Sequence, residues 1–83
     1  MTPKELQART KAFALRVIRL FDALPRSAPS QVIGRQLLRS ATSVGANYLA
    51  ACRAQSHAEF AAKLSIVVEE ADESLYWLEL LQE

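Results

Sequence analysis

The sequence predicts an all-α protein, an up-and-down antiparallel helical bundle of three long helices. Three observations carry this reading. Hydrophobic residues fill 51% of the 83 positions, with only two glycines and three prolines, which is the composition of packed helices and not of disorder. Apolar residues recur at three- and four-residue spacing through three stretches. Only short turn-forming segments separate these stretches, so neighbouring helices are expected to run antiparallel. One domain, residues 1–83, accounts for the whole length.

The first helix is expected over residues 3–24. Thr2 can cap it, Pro3 suits its first turn, and Glu5 completes a capping box. Pro25 stops it. Leu6, Phe13, Ala14, Val17, Ile18, Leu20, Phe21 and Leu24 fill nearly half of its circumference, and Lys4, Arg9, Lys11, Arg16, Arg19 and Arg26 fill the other half. So wide an apolar arc suits contact with more than one neighbour.

The second helix is expected over residues 30–54, with Ser30 as its cap after the turn Arg26-Ser27-Ala28-Pro29. Its stripe is Ile33, Leu37, Ala41, Val44, Tyr48, Ala51 and Cys52, with Arg35, Arg39 and Arg53 on the opposite side. Gly45, Ala46, Ala50 and Ala51 are small enough to admit a neighbouring helix closely, at some loss of helix propensity for Gly45.

The third helix is expected over residues 57–82, opened by a second capping box, Ser56-His57-Ala58-Glu59. Its spacing gives a core stripe of Phe60, Leu64, Val67, Val68, Ala71, Leu75 and Leu78. A second apolar set, Ile66, Trp77 and Leu80, lies roughly opposite. One core cannot bury both faces. The second set is therefore the candidate oligomer interface, or the seat of a further helix.

A chain this short has a marginal core unless something reinforces it. Cys52 is the sole cysteine and His57 the sole histidine, so neither a disulfide nor a closed four-ligand metal site is expected. Assembly with copies of itself remains. No apolar run approaches the ~20 residues of a membrane span. With a lone thiol and no signal-peptide pattern, a cytoplasmic protein is expected.

No phosphate-cradling glycine loop and no nucleophile elbow is present. His57 reads as an exposed first-turn residue and Cys52 as a small buried hydrophobe. Glu69, Glu70, Asp72 and Glu73 lack the matching acids on other helices that a carboxylate metal site needs. Neither catalysis, nor a cofactor, nor a small-molecule substrate is expected.

The net charge of +1 conceals a division: residues 1–26 sum to +4, residues 27–54 to +3 and residues 55–83 to −6. Two readings stand. The helices neutralise one another, within the bundle or between subunits, or a basic surface faces nucleic acid. Candidate nucleic-acid-binding residues are Arg9, Arg16, Arg19, Arg35, Arg39 and Arg53. The last three look hard to neutralise locally, because their helix carries no acid.

Two segments carry a resemblance. Arg39-Ser40-Ala41-Thr42-Ser43-Val44-Gly45-Ala46-Asn47 resembles the R-S-A-x-S-[IV]-x-x-N signature of the bacterial 23S rRNA intervening-sequence proteins, also called the S23 ribosomal protein family. Glu70-Ala71-Asp72-Glu73-Ser74-Leu75-Tyr76-Trp77-Leu78-Glu79-Leu80-Leu81 resembles its E-A-x-E-[ST]-x-Y-W-L-x-L-L segment, and Ser56, Glu59 and Phe60 match the start of its third helix. The resemblance implies an up-down-up-down four-helix bundle and a ring-like homo-oligomer, a pentamer in related members. Some genes of this family lie within inserted segments of ribosomal RNA genes. A related group serves retroelements as accessory bundle proteins beside a reverse transcriptase. For most members the molecular function is undefined. Two departures stand out: Tyr48-Leu49-Ala50-Ala51 replaces the common I-A-E-G, and the family's fourth helix is missing from these 83 residues.

The sequence thus leads to a non-enzymatic oligomer whose basic helix faces bind RNA or a nucleic-acid-processing protein. The alternative is a structural or protein-interaction module whose charges satisfy only one another.

Overall fold

Thr2 opens the first helix through both halves of a capping box. In the computed structural model, which describes all 83 residues, the Glu5 N–H donates to the Thr2 hydroxyl at 3.1 Å and the Thr2 N–H donates to the Glu5 carboxylate at 3.4 Å. Helix α1 then runs Pro3–Ala23, and Leu24 leaves it in extended conformation ahead of Pro25.

Helix α2 spans Ala28–Cys52, and its cap is Ser27 where the sequence reading placed Ser30. The Ser27 hydroxyl accepts from the Ser30 N–H at 3.4 Å. Pro29 therefore sits inside the first turn, where a proline deprives the helix of no needed N–H. The Gln31 side-chain amide donates to the Pro25 carbonyl at 2.9 Å and ties the connection to the helix it feeds. The helix ends two residues before the expected 54.

Helix α3 spans His57–Gln82. Ser56 accepts from the Glu59 N–H at 3.1 Å, but the Glu59 carboxylate takes the Gln55 N–H at 3.2 Å, one residue short of a closed box.

Helix α2 is the middle of the molecule. It packs on α1 along one side and on α3 along another, and no Cα of α1 lies within 8 Å of one in α3. Two glycines set the α1 contact. A Cβ on Gly34 would fall 2.6 Å from Leu24 Cδ1 and 3.0 Å from Phe21 Cδ1, and one on Gly45 would fall 3.3 Å from Thr10 Oγ1. Residue numbers on α1 therefore fall as those on α2 rise.

Val17, Leu37 and Ala41 form the buried core, with Phe13, Leu38, Trp77, Leu78 and Leu81 packed around them. Along α2 the buried stripe continues through Val44, Tyr48 and Ala51, as its spacing predicts. Cys52 departs from that stripe: it is exposed at the helix end.

The inward face of α3 is rotated from the expected stripe: Leu64, Val67 and Leu78 of that stripe are half-buried, but the rest of it turns outward. Ser74 is buried and Trp77 and Leu81 are half-buried, while Phe60, Val68 and Leu75 are exposed, the last two by 59% and 57%. This face brings Trp77, Leu78 and Leu81 onto the core and lets Glu70, Glu73 and Ser74 reach partners on α2. Trp77 packs inside the chain, and Ile66, three turns earlier on α3, is half-buried. Of the three expected interface residues only Leu80 stays exposed, at 36%.

The packing leaves surface to spare. Nine of the 83 residues are shut off from solvent, and the accessible area is 5816 Å². A compact monomer of this mass, 9.2 kDa, would expose roughly 4,900 Å². The excess, roughly 900 Å², is comparable to one side of a standard protein interface.

Candidate interaction surfaces

The middle of α2 and the C-terminal half of α3 are joined by a polar clasp. Arg39 donates to both carboxylate oxygens of Glu70, at 3.3 and 3.2 Å, and also pairs with Glu73. The Trp77 indole N–H donates to the same Glu73 carboxylate at 3.3 Å. One residue along, the Ser74 hydroxyl donates to the Ser40 hydroxyl at 2.9 Å, at a point where both side chains are buried. Ser40 lies 3.2 Å from the Leu37 carbonyl and Ser74 lies 2.8 Å from the Glu70 carbonyl. No buried side-chain polar atom is left without a partner. The clasp moves its charges in the expected directions. Hydrogen bonds from Arg39 and Trp77 lower the Glu73 pKa, and those carboxylates raise that of Arg39.

Arg39 was a candidate for nucleic acid because its own helix carries no acid. The acids come from α3: Arg39 pairs with Glu70 and Glu73 while its side chain stays half-exposed. The other five candidate arginines are exposed, and no ion pair within the chain involves any of them. Arg9, Arg16 and Arg19 share one exposed flank of α1, and Arg35 and Arg53 share one of α2. Mutual neutralisation inside the chain therefore accounts for Arg39 alone.

Between α1 and α3 an open apolar groove of about 550 Å³ runs over α2, with Leu6, Phe13, Val44, Leu75 and Leu78 in its walls. It continues past Arg9, Arg16 and Leu20. Its α1 lip is basic, and Asp72 and Glu79 lie on α3 beside the Leu75 lip. A hollow of about 580 Å³ at the other end gathers Tyr48, Cys52, His57 and Phe60. Contact with the Cys52 thiol, and then burial, raises the Tyr48 phenol above its ordinary pKa. No cluster of three or more His, Cys, Asp or Glu residues is placed to hold a metal ion, and no helix is long and apolar enough to cross a membrane.

The clasp is built from the two segments that carry the family resemblance: Arg39 and Ser40 from one, Glu70, Glu73, Ser74 and Trp77 from the other. The model of the 23S rRNA-intervening sequence protein family matches residues 4–83. The chain belongs to this family. A crystal structure of a protein with unknown function from the S23 ribosomal protein family of Bacteroides thetaiotaomicron VPI-5482 is similar to it, with 42% identity and a TM-score of 0.88. The match covers 98% of this chain and 72% of that one. No curated protein matches it. In this intervening-sequence protein the signature residues are thus engaged in holding two helices together. Sequence reasoning singled out Arg39 for its charge and overlooked Ser40 and Ser74. The available signal was a small polar residue in stripe register on each helix, three residues after Leu37 and three before Trp77.

Proposed function

We propose that this family member is a non-catalytic subunit of a homo-oligomeric helical scaffold that binds RNA through the arginine flank of α1. The observation that carries the reading is that Arg9, Arg16 and Arg19 stand exposed on one flank with no acid paired to them. At 1.5 Å per residue the three span about 15 Å along the helix. That reach suits several phosphates of one strand, and phosphate contacts supply most sequence-independent affinity. Arg35 and Arg53, on another exposed flank, add to the positive field.

The subunit is an up-and-down antiparallel bundle, and a fourth helix occupies the apolar groove between α1 and α3. Support comes from the groove's apolar walls and from the related crystal structure, 28% of which extends beyond the match. Copies assemble in a closed ring, a pentamer by family resemblance, and the separation of unpaired basic and acidic residues onto different helices favours that reading. The cytoplasm is its compartment.

The test is fluorescence anisotropy with a labelled single-stranded RNA. Binding at ~50 mM salt should weaken as salt rises, with a log–log slope of about −2 for three phosphate contacts. Arg9→Glu, Arg16→Glu and Arg19→Glu together should abolish it. No binding at ~50 mM salt would overturn the RNA reading and leave the alternative, a purely structural interaction module.

A further inference from the structure

We infer that copies of this chain dock head to tail, with the acidic outer ridge of α3 seated on the basic outer flank formed by α1 and α2 of the next copy. The inference rests on the proposed assembly and names the two surfaces that meet.

The charge division of the sequence becomes a division in space. Helices α1 and α3 each pack on α2, with an open groove between them and no close backbone contact. The positive charge of residues 1–54 and the negative charge of residues 55–83 are therefore carried on separate helices. Only Arg39 bridges them. A second copy offers the missing counter-charges without changing the net charge per subunit, +1.

Each surface also carries exposed apolar residues at its centre. On α3, Glu69, Asp72, Tyr76 and Leu80 follow one another at helical spacing on the side away from α2, and all four are exposed. Tyr76 is 54% exposed, and its ring is held edge-on to Trp77 with centroids 5.0 Å apart. A pre-set aromatic of this kind suits the centre of an interface. On the other flank, small residues at Gly45 and Ala46 leave a hollow of about 330 Å³ beside Lys11 and Leu49. Ile18 lies two turns along α1 from Lys11 and is 41% exposed. Arg35 and Arg53 project within about 20° of the Ala46 direction, one beyond each end of the hollow.

The flank is large enough. The molecule measures 44 × 20 × 16 Å, and a stable interface buries about 800 Å² per partner. Because the two surfaces differ, the contact is heterologous, and repetition closes a ring or extends a filament. Of the arginines used for RNA in the proposed function, Arg9 and Arg16 project from the side of α1 opposite Lys11, and Arg19 lies between the two sides.

The test uses two charge-reversed proteins, Glu69→Lys with Asp72→Lys, and Lys11→Glu with Arg35→Glu, each checked for wild-type helicity. Sedimentation velocity should show the wild type as an oligomer and each variant alone weakened in association by about a hundredfold or more. Neither variant retains a matching pair of surfaces. An equimolar mixture should associate, because the reversed ridge of one variant fits the reversed flank of the other. An oligomeric wild type with either variant still at full mass, or with a mixture that stays dissociated, overturns the docking inference alone. A monomeric wild type overturns it together with the assembly reading.

Discussion

The hydroxyls of Ser40 and Ser74 meet at 2.9 Å between α2 and α3, with Ser40 fully buried and Ser74 1% exposed. Two hydroxyl protons serve three oxygen contacts there, since each serine also touches a carbonyl of its own helix. Removing one hydroxyl leaves the other with its carbonyl, so the loss is limited. Ser40→Ala and Ser74→Ala should each destabilise the fold by about 1 kcal/mol. Together they should cost less than the sum of the two, because the second change removes a group already deprived of its partner. Denaturant unfolding of the four proteins gives the comparison, and strict additivity would mean the hydroxyls do not interact.

Glu73 makes the clasp sensitive to acid. Its pKa lies below the ordinary 4.5, through hydrogen bonds from Arg39 first and Trp77 second. A lowered carboxylate pKa adds stability that is complete above the unfolded value and disappears as pH falls through the folded one. Thermal stability should therefore fall progressively below about pH 4.5. Glu73→Gln should lower stability at neutral pH and flatten that acid decline. An acid limb equally steep in the variant would assign the decline to other carboxylates.

Trp77 packs against the Val17, Leu37 and Ala41 core, and its indole N–H is bonded to Glu73. Trp77→Ala should cost about 3 kcal/mol, a large share of the ~5 kcal/mol available to a marginal domain. Its signature is lost helicity and melting at lower temperature. A variant that kept full thermal stability while dissociating would return Trp77 to a subunit interface.

Gly34 and Gly45 differ in what surrounds them. Any side chain at Gly34 meets Phe21 and Leu24, whereas a methyl at Gly45 meets Thr10 at 3.3 Å with room to give. Gly34→Val should destabilise by roughly 1–3 kcal/mol through overpacking. Gly45→Ala should stay within about 1 kcal/mol of wild type, since the gain in helix propensity offsets the contact. Denaturant midpoints of the two variants check the order.

Much of this was legible in the sequence where one local rule decides. The Thr2 cap and the Leu37-Ala41-Val44-Tyr48-Ala51 stripe follow from spacing and capping chemistry alone. The second cap was misplaced because Pro29 reads equally well as a turn residue or as a first-turn proline. The inward face of α3 was not legible. With apolar residues nearly all round it, its periodicity could not choose between the Leu75 side and the Trp77 side. The choice falls to long-range contacts, among them the pairing of Arg39 with Glu70 and Glu73 across more than thirty residues, which no local window contains. The same pairing engages Arg39 within the chain and leaves Arg9, Arg16, Arg19, Arg35 and Arg53 without an acid partner.

On the proposed assembly, the unpaired basic residues of α1 and α2 and the acidic residues of α3 find their counter-charges in further copies of the chain. The solution mass of the purified protein, by sedimentation velocity at low micromolar concentration, tests this most directly. A homo-oligomer that dissociates as salt rises is the predicted result. A stable 9.2 kDa monomer at every salt concentration would contradict it.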